Sequence, residues 1–208
     1  MKEIKINWPG LVGFTVYVMF LRPQMLKWGT SLGESQRRLD GDDYVPEPNF
    51  QATNAINIDA PVEAVWPWLA QMGRERSGYY VYDMINNGGI PSVNFVRQDI
   101  EPLQKDMVLD SGLTVLECEE NRKLLLGIFN RSVVPGLTVD LTMLYLLERK
   151  RDGGTRLLTR QRAFGYGLPG LITGRIYEPI FFFGIMQQLQ NLKQFGESMA
   201  HLQPAAAQ

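Results

Sequence analysis

A strand that runs directly into a proline-started helix constrains this chain most, and residues 53–83, TNAINIDAPVEAVWPWLAQMGRERSGYYVYD, hold that junction. Ala55, Asn57 and Asp59 alternate with Asn54, Ile56 and Ile58, the period-two pattern of a half-buried strand over about 51–59. Pro61 suits a first helical position, where no N–H is needed, and Glu63 two residues later suits the positive end of the helix dipole. The spacing predicts a helix over 61–72 whose apolar side, Val65, Trp66, Leu69 and Met72, must be buried. Pro67 sits too deep in that helix to be neutral, which predicts a kink or short break near Trp66.

Beyond this junction, Gly78–Asn87 predicts a second short helix stopped by Asn86-Asn87-Gly88-Gly89, and residues 90–105 read as loop. Alternating runs follow at Met107–Leu109, Leu113–Glu119, Lys123–Asn130 and Leu137–Arg149. The last pairs with Thr155–Tyr166 across Asp152-Gly153-Gly154 as a hairpin. From about Thr173 to Leu202 the pattern is one long helix with an apolar ladder of Phe182, Ile185, Met186, Leu189, Leu192 and Met199. Its first half, Ile176–Met186, is apolar nearly all round, so it must touch the sheet, a loop, an N-terminal helix, a ligand or a membrane. Strands without βαβ alternation predict an antiparallel α+β domain whose sheet wraps the final helix.

Three stretches divide the chain: an apolar helical extension, 1–27; a linker or draped segment, 28–50, rich in charge, Gly and Pro; and the domain itself, 51–203. Trp8–Leu21 carries no charge but is short for a bilayer span, and no small-residue cleavage site follows it. A retained helix is expected, packed on the domain, lying on a membrane surface through residues 8–21, or clamping a partner subunit. The net charge of −1 lacks the basic footprint of a nucleic-acid binder. A single cysteine, Cys118, in an alternating stretch reads as a buried thiol in a reducing compartment, the cytoplasm, with or without attachment to a membrane surface.

The run IDAPVEAVWPWLAQMG, followed by RSGYYVYD, resembles the bacterial SRPBCC proteins of the START/Bet v 1-like superfamily, in the branch with a VWPWL-type helix. RPQMLKWGTSLGE, GDDYVPEP, the Gln104–Asp106 turn and RLLTRQRAFG extend the resemblance over roughly residues 22–200. It implies a helix-grip fold, an antiparallel sheet around a long C-terminal helix, here with an extra N-terminal helix. It also implies a cavity for an apolar or amphipathic molecule. That superfamily includes lipid carriers, hormone receptors, polyketide cyclases and dioxygenase subunits, so the fold leaves the chemistry open.

Catalytic groups are few. The only histidine, His201, stands near the C-terminus with no Ser-His or Cys-His partner, and one His plus one Cys exclude the usual metal sets, so neither metal nor cofactor is expected. GYGLPGLITGR at 165–175 lacks the Lys-Ser/Thr of a phosphate loop and reads better as a flexible gate. Asp83, after Tyr79, Tyr80 and Tyr82, is the candidate acid-base group; its alternative roles are a helix cap or a partner for Arg74 or Arg76. Asp140 and Glu178 are weaker candidates.

Arg160 and Arg162 share one face of their strand with Leu158 and Phe164, opposite Leu157, Thr159, Gln161 and Ala163. On a concave face they would bind an acidic head group; on a convex one they would be solvated. The expected function is binding, transport or sequestration of a hydrophobic small molecule such as a lipid or a polyketide- or isoprenoid-like compound. Trp68, Tyr79, Tyr82, Asp83, Phe164, Phe182 and Met186 would line its cavity, with Arg160 or Arg162 at its head. Two alternatives stand beside it: a cyclase, aromatase or dehydratase using Asp83 and tyrosines, and a membrane-surface or assembly factor. The oligomeric state is open.

Overall fold

A computed structural model describes residues 13, 15–31, 33–109, 112–134 and 137–202. Five strands form one antiparallel sheet: β1 (Phe50–Ile58), β2 (Thr114–Glu119), β3 (Lys123–Val134), β4 (Leu137–Arg149) and β5 (Thr155–Gly165), in the spatial order β1-β5-β4-β3-β2. Before the sheet come a π-helical turn (Tyr17–Leu21), the short helix α1 (Arg22–Met25) and a 3₁₀ turn (Asp42–Tyr44). Helix α2 (Val62–Ala70) follows β1, α3 (Asp83–Asn86) follows α2, and α4 (Gly167–Leu202) ends the chain. The Trp8–Leu21 helix expected from sequence lies partly outside the described residues.

The predicted strand-to-helix junction is present, with Pro61 in extended conformation at the helix cap rather than inside the first turn. Helix α2 runs without a break through Pro67, and Val65, Trp66, Leu69 and Met72 are all buried. Burial of this side and the buried face of α4 holds the helix together where the missing Pro67 N–H would weaken it. Helix α4 begins at Gly167, earlier than the predicted Thr173, so the stretch expected to be a gate is its first two turns. Gly165 and Gly170 make that entry possible: a Cβ on Gly170 would lie 3.0 Å from the Gly165 carbonyl carbon.

The sheet has two covered faces. One packs on α2 and α4, where Ile185, Leu189 and Leu192 meet Val115, Leu126, Tyr145 and Leu157. The other carries a second cluster, Leu116, Leu125 and Leu144, closed by Leu39 from the segment before β1. Edge strand β1 is protected by the chain itself: the Thr53 and Ala55 N–H groups donate to the Leu26 and Trp28 carbonyls at 2.8 and 3.1 Å. Gly29 then turns away at φ +72°, where a Cβ would fall 2.0 Å from the Ala55 carbonyl oxygen. Among the described residues no helix is long and apolar enough to cross a membrane.

Candidate functional site

Strand alternation sends Ala52 and Asn54 of β1 and Gln161 of β5 toward the helix side, since Gln161 pairs in register with Ala52 and with Met143 of that core. Helix α4 brings Glu178 and Phe182, one turn apart, over the same end of the sheet. The segment from Tyr17 to Leu26 lies across them as a cover. Together these elements enclose a cavity of about 10 Å³, lined by Tyr17, Arg22, Met25, Gln161, Glu178 and Phe182 among others. That is room for about one water molecule, so the cover fills most of the space between sheet and helix.

The cover is fastened by charge. Arg22 grips Glu178 with two bonds, Nε to Oε2 at 2.6 Å and Nη2 to Oε1 at 3.0 Å, and Arg175 adds a third to Oε1 at 2.8 Å. Only 5% of the Glu178 side chain is exposed, so its charge depends on those guanidinium groups. The Tyr17 hydroxyl also donates to Glu178 at 3.3 Å; burial first, and then the neighbouring carboxylate, push its pKa up. Asn54 Nδ2 donates to the Met25 carbonyl at 2.9 Å, tying the cover to β1. Beneath it Gln161 is 7% exposed, and its Nε2 has no acceptor among the described residues. An unpaired amide donor in a buried site is costly and marks a place where an acceptor is wanted.

Of the residues expected to line a cavity, Phe182 does so. Met186 is half-buried one turn further on, outside the cavity lining. Trp68 lies instead in the α2–α4 core, its ring stacked on Phe195 at 4.6 Å and edge-on to Tyr80. The Tyr79 carbonyl accepts from Gln188 Nε2 at 2.8 Å, stitching the loop after α2 to α4. Tyr82, exposed and in left-handed backbone, lays its ring over Gly184.

The side-chain hydrogen bonds described for Asp83 are with Ser92. Its Oδ1 and Oδ2 accept from the hydroxyl and N–H of Ser92, at 2.5 and 2.9 Å, which locks α3 to the following loop. Asp140 likewise accepts from the Asn130 N–H and the Tyr166 hydroxyl, at 2.7 and 2.6 Å.

Arg160 and Arg162 point away from the helix, and neither is a solvated surface charge. Arg160 is 3% exposed and spends its guanidinium on Thr53 Oγ1, on the carbonyls of Glu34, Ser35 and Arg37, and on Asp42. Arg162 holds the Val45 and Pro46 carbonyls and Gln51. Phe164 is on the same face, edge-on to Tyr166. The two arginines therefore clamp the draped segment, and the cavity has Gln161 in their place. The sequence suggested two fates for that face, cavity or solvent; the structure shows a third, a cover made from the chain's own upstream segment.

The Arg22–Glu178 pair escaped the sequence reading, although a signal was present. Glu178 is the only acidic residue between Ala163 and Gln194, inside an apolar stretch, and such a carboxylate requires a cation. Among the described residues no cluster of His, Cys, Asp and Glu is placed to hold a metal ion.

No family model matches the chain, and no curated protein does. Solved structures do. A protein from Helicobacter pylori superposes with a TM-score of 0.51 at 14% identity, over 80% of this chain and 98% of its own. The fold is helix-grip-like. A protein from Nitrosomonas europaea matches at 18% identity and TM-score 0.46, over 78% and 99% of the two chains. DynU16, from the dynemicin biosynthetic locus, matches at 14% and 0.43, over 70% of this chain and 48% of its own.

Proposed function

We propose that this chain belongs to the SRPBCC superfamily and binds an apolar or amphipathic small molecule between the sheet and the first half of α4, beneath the cover formed by Tyr17–Leu26, to carry or sequester it. The observation that carries the reading is the buried Gln161 amide, lacking an acceptor among the described residues, at the floor of a cleft closed by a peripheral segment. With the cover down, about 10 Å³ is too little for a ligand, so a ligand must lift residues 17–26 and take their place. Phe50, Ala52 and Phe182 offer apolar walls, and Gln161 Nε2 offers one donor. The preferred ligand is therefore mainly hydrocarbon with one neutral oxygen acceptor, a carbonyl or ether, near one end. Asp83 gives the enzyme reading no support, because both its oxygens are occupied by Ser92 outside this cleft.

The test is a titration with the fluorescent apolar probe N-phenyl-1-naphthylamine, beside native mass spectrometry of the purified full chain. Arg22→Ala unfastens the cover and is expected to tighten probe binding several-fold. Gln161→Leu is expected to weaken a long-chain methyl ketone and spare the matching alkane. Absence of any bound apolar molecule or probe in both the parent and Arg22→Ala would end the proposal.

A further inference from the structure

Helix α4 changes character on its outward side. Leu168, Ile172, Ile176, Ile180 and Phe183 follow one another at steps of four, four, four and three, so they form one stripe, and each is at least half exposed. Past Gly184 the same side continues as Gln187, Gln194, Ser198 and His201. The second half is an ordinary solvent face; the first is an apolar face that none of the described residues covers. The cover meets the same half of α4 from the sheet side, through Tyr17, Arg22 and Glu178, and its Met19, Phe20 and Leu21 are likewise more than half exposed. Of the 21 exposed large apolar side chains among the described residues, 11 fall within residues 15–27 and 167–186. Scattered single exposures are normal, but a concentration of this kind marks an interaction surface.

Charge chooses the occupant. Within residues 15–27 and 167–186 the charged groups are Arg22, Lys27, Arg175 and Glu178, and the one carboxylate is buried under two of the cations. The surface is thus apolar with a positive surround, on a chain whose net charge is −1. A second copy meeting the same surface across a two-fold axis would bring like cations together. A bilayer with anionic head groups satisfies both features: the apolar side chains enter the interface while the cations stay at head-group level.

We infer that the outward stripe of α4 and the exposed side of Tyr17–Leu21 together dock on an anionic lipid surface. Among the described residues no helix is long and apolar enough to cross it, and the contact inferred is a peripheral one. Docking would bring the edge of the cover into the lipid, at the same end of the molecule as the cleft.

Vesicle flotation of the full chain, without added ligand, tests this independently of the cleft proposal. Phosphatidylcholine vesicles are compared with phosphatidylcholine–phosphatidylglycerol vesicles. Binding is expected to favour the anionic vesicles and to fall, without vanishing, at high salt. The pair Phe20→Glu and Ile176→Glu is expected to lose tenfold or more, while Gln194→Glu on the polar half of the same side changes little. Leu168→Ser with Phe183→Ser serves as a second variant if the first fails to fold. No flotation, equal binding to neutral vesicles, or a loss smaller than tenfold in the folded variant overturns the inference. So does sedimentation equilibrium showing a dimer that Ile176→Glu dissociates, which would make a second copy the occupant.

Discussion

Arg160→Leu is the sharpest perturbation of this fold, because one buried guanidinium holds a whole segment. The substitution removes hydrogen bonds to Thr53, to three backbone carbonyls and to Asp42, at 2.8–3.2 Å. Asp42, 11% exposed, keeps the Leu39 N–H at 3.0 Å and a longer approach of 3.7 Å to Arg162. Stripping one partner from a buried pair costs about 3–5 kcal/mol. The segment can lift and hydrate Asp42, which limits the loss to about 3 kcal/mol and channels it into local opening. Such a loss raises the open population by about a hundredfold.

Trypsin reads that population directly, since Arg37 and Arg38 lie in the segment, and urea unfolding gives the global change. Asp42→Asn in the Arg160→Leu background should restore about 1 kcal/mol or more, because the orphaned charge is gone. A variant within 1 kcal/mol of the parent, cleaved at Arg37–Arg38 no faster, would refute the clamp. Apolar-probe binding should be unaltered in the folded fraction, as the guanidinium faces away from the cleft.

Three further outcomes follow from the same geometry. Glu34 accepts from Arg156 at 2.6 and 3.0 Å, which holds its carboxyl at about 2 against an ordinary 4.5. The stability it contributes is complete above pH 4.5 and is lost as pH falls toward 2; partial solvent screening brings it to about 1–3 kcal/mol, and Glu34→Gln should flatten the urea midpoint across that window. Tyr145→Phe removes the donor to Gln188 Oε1 at 2.7 Å inside the core, where burial raises the phenol's pKa; a loss of about 1–2 kcal/mol by urea unfolding is expected. Asp83→Asn should lower stability by about 1 kcal/mol, measured in urea, and leave apolar-probe affinity within twofold, because its partner is Ser92.

The elements were legible because their signals are local. Alternation gave β1, β4 and β5, Asp152-Gly153-Gly154 gave the turn, and the glycines after Asn86 stopped α3. Met107–Leu109 misled, forming only an isolated bridge at Val108, since it has just one residue paired to Thr114. The start of α4 was hidden because Gly170 and Gly174 read as loop, while Gly170 is there to let the helix start touch the strand end. The site was harder. Alternation along β5 separates Arg160 and Arg162 from Gln161, but it cannot say which set meets the helix. That depends on where residues 34–46 lie, a long-range fact with no periodic trace.

Strand β5 therefore divides two closures. Its Arg160 and Arg162 fasten the upstream segment to one face, and on the other Gln161 lies beneath a cover fastened by Arg22 to Glu178. The fastenings differ in kind. Arg160 is held from five directions and is almost fully buried, whereas Arg22 is 20% exposed and grips one carboxylate that Arg175 can keep neutralised when Arg22 leaves. Opening the second closure thus leaves a paired Glu178, while opening the first strands Asp42. That asymmetry makes the draped segment permanent structure and the cover the part that can yield to a ligand.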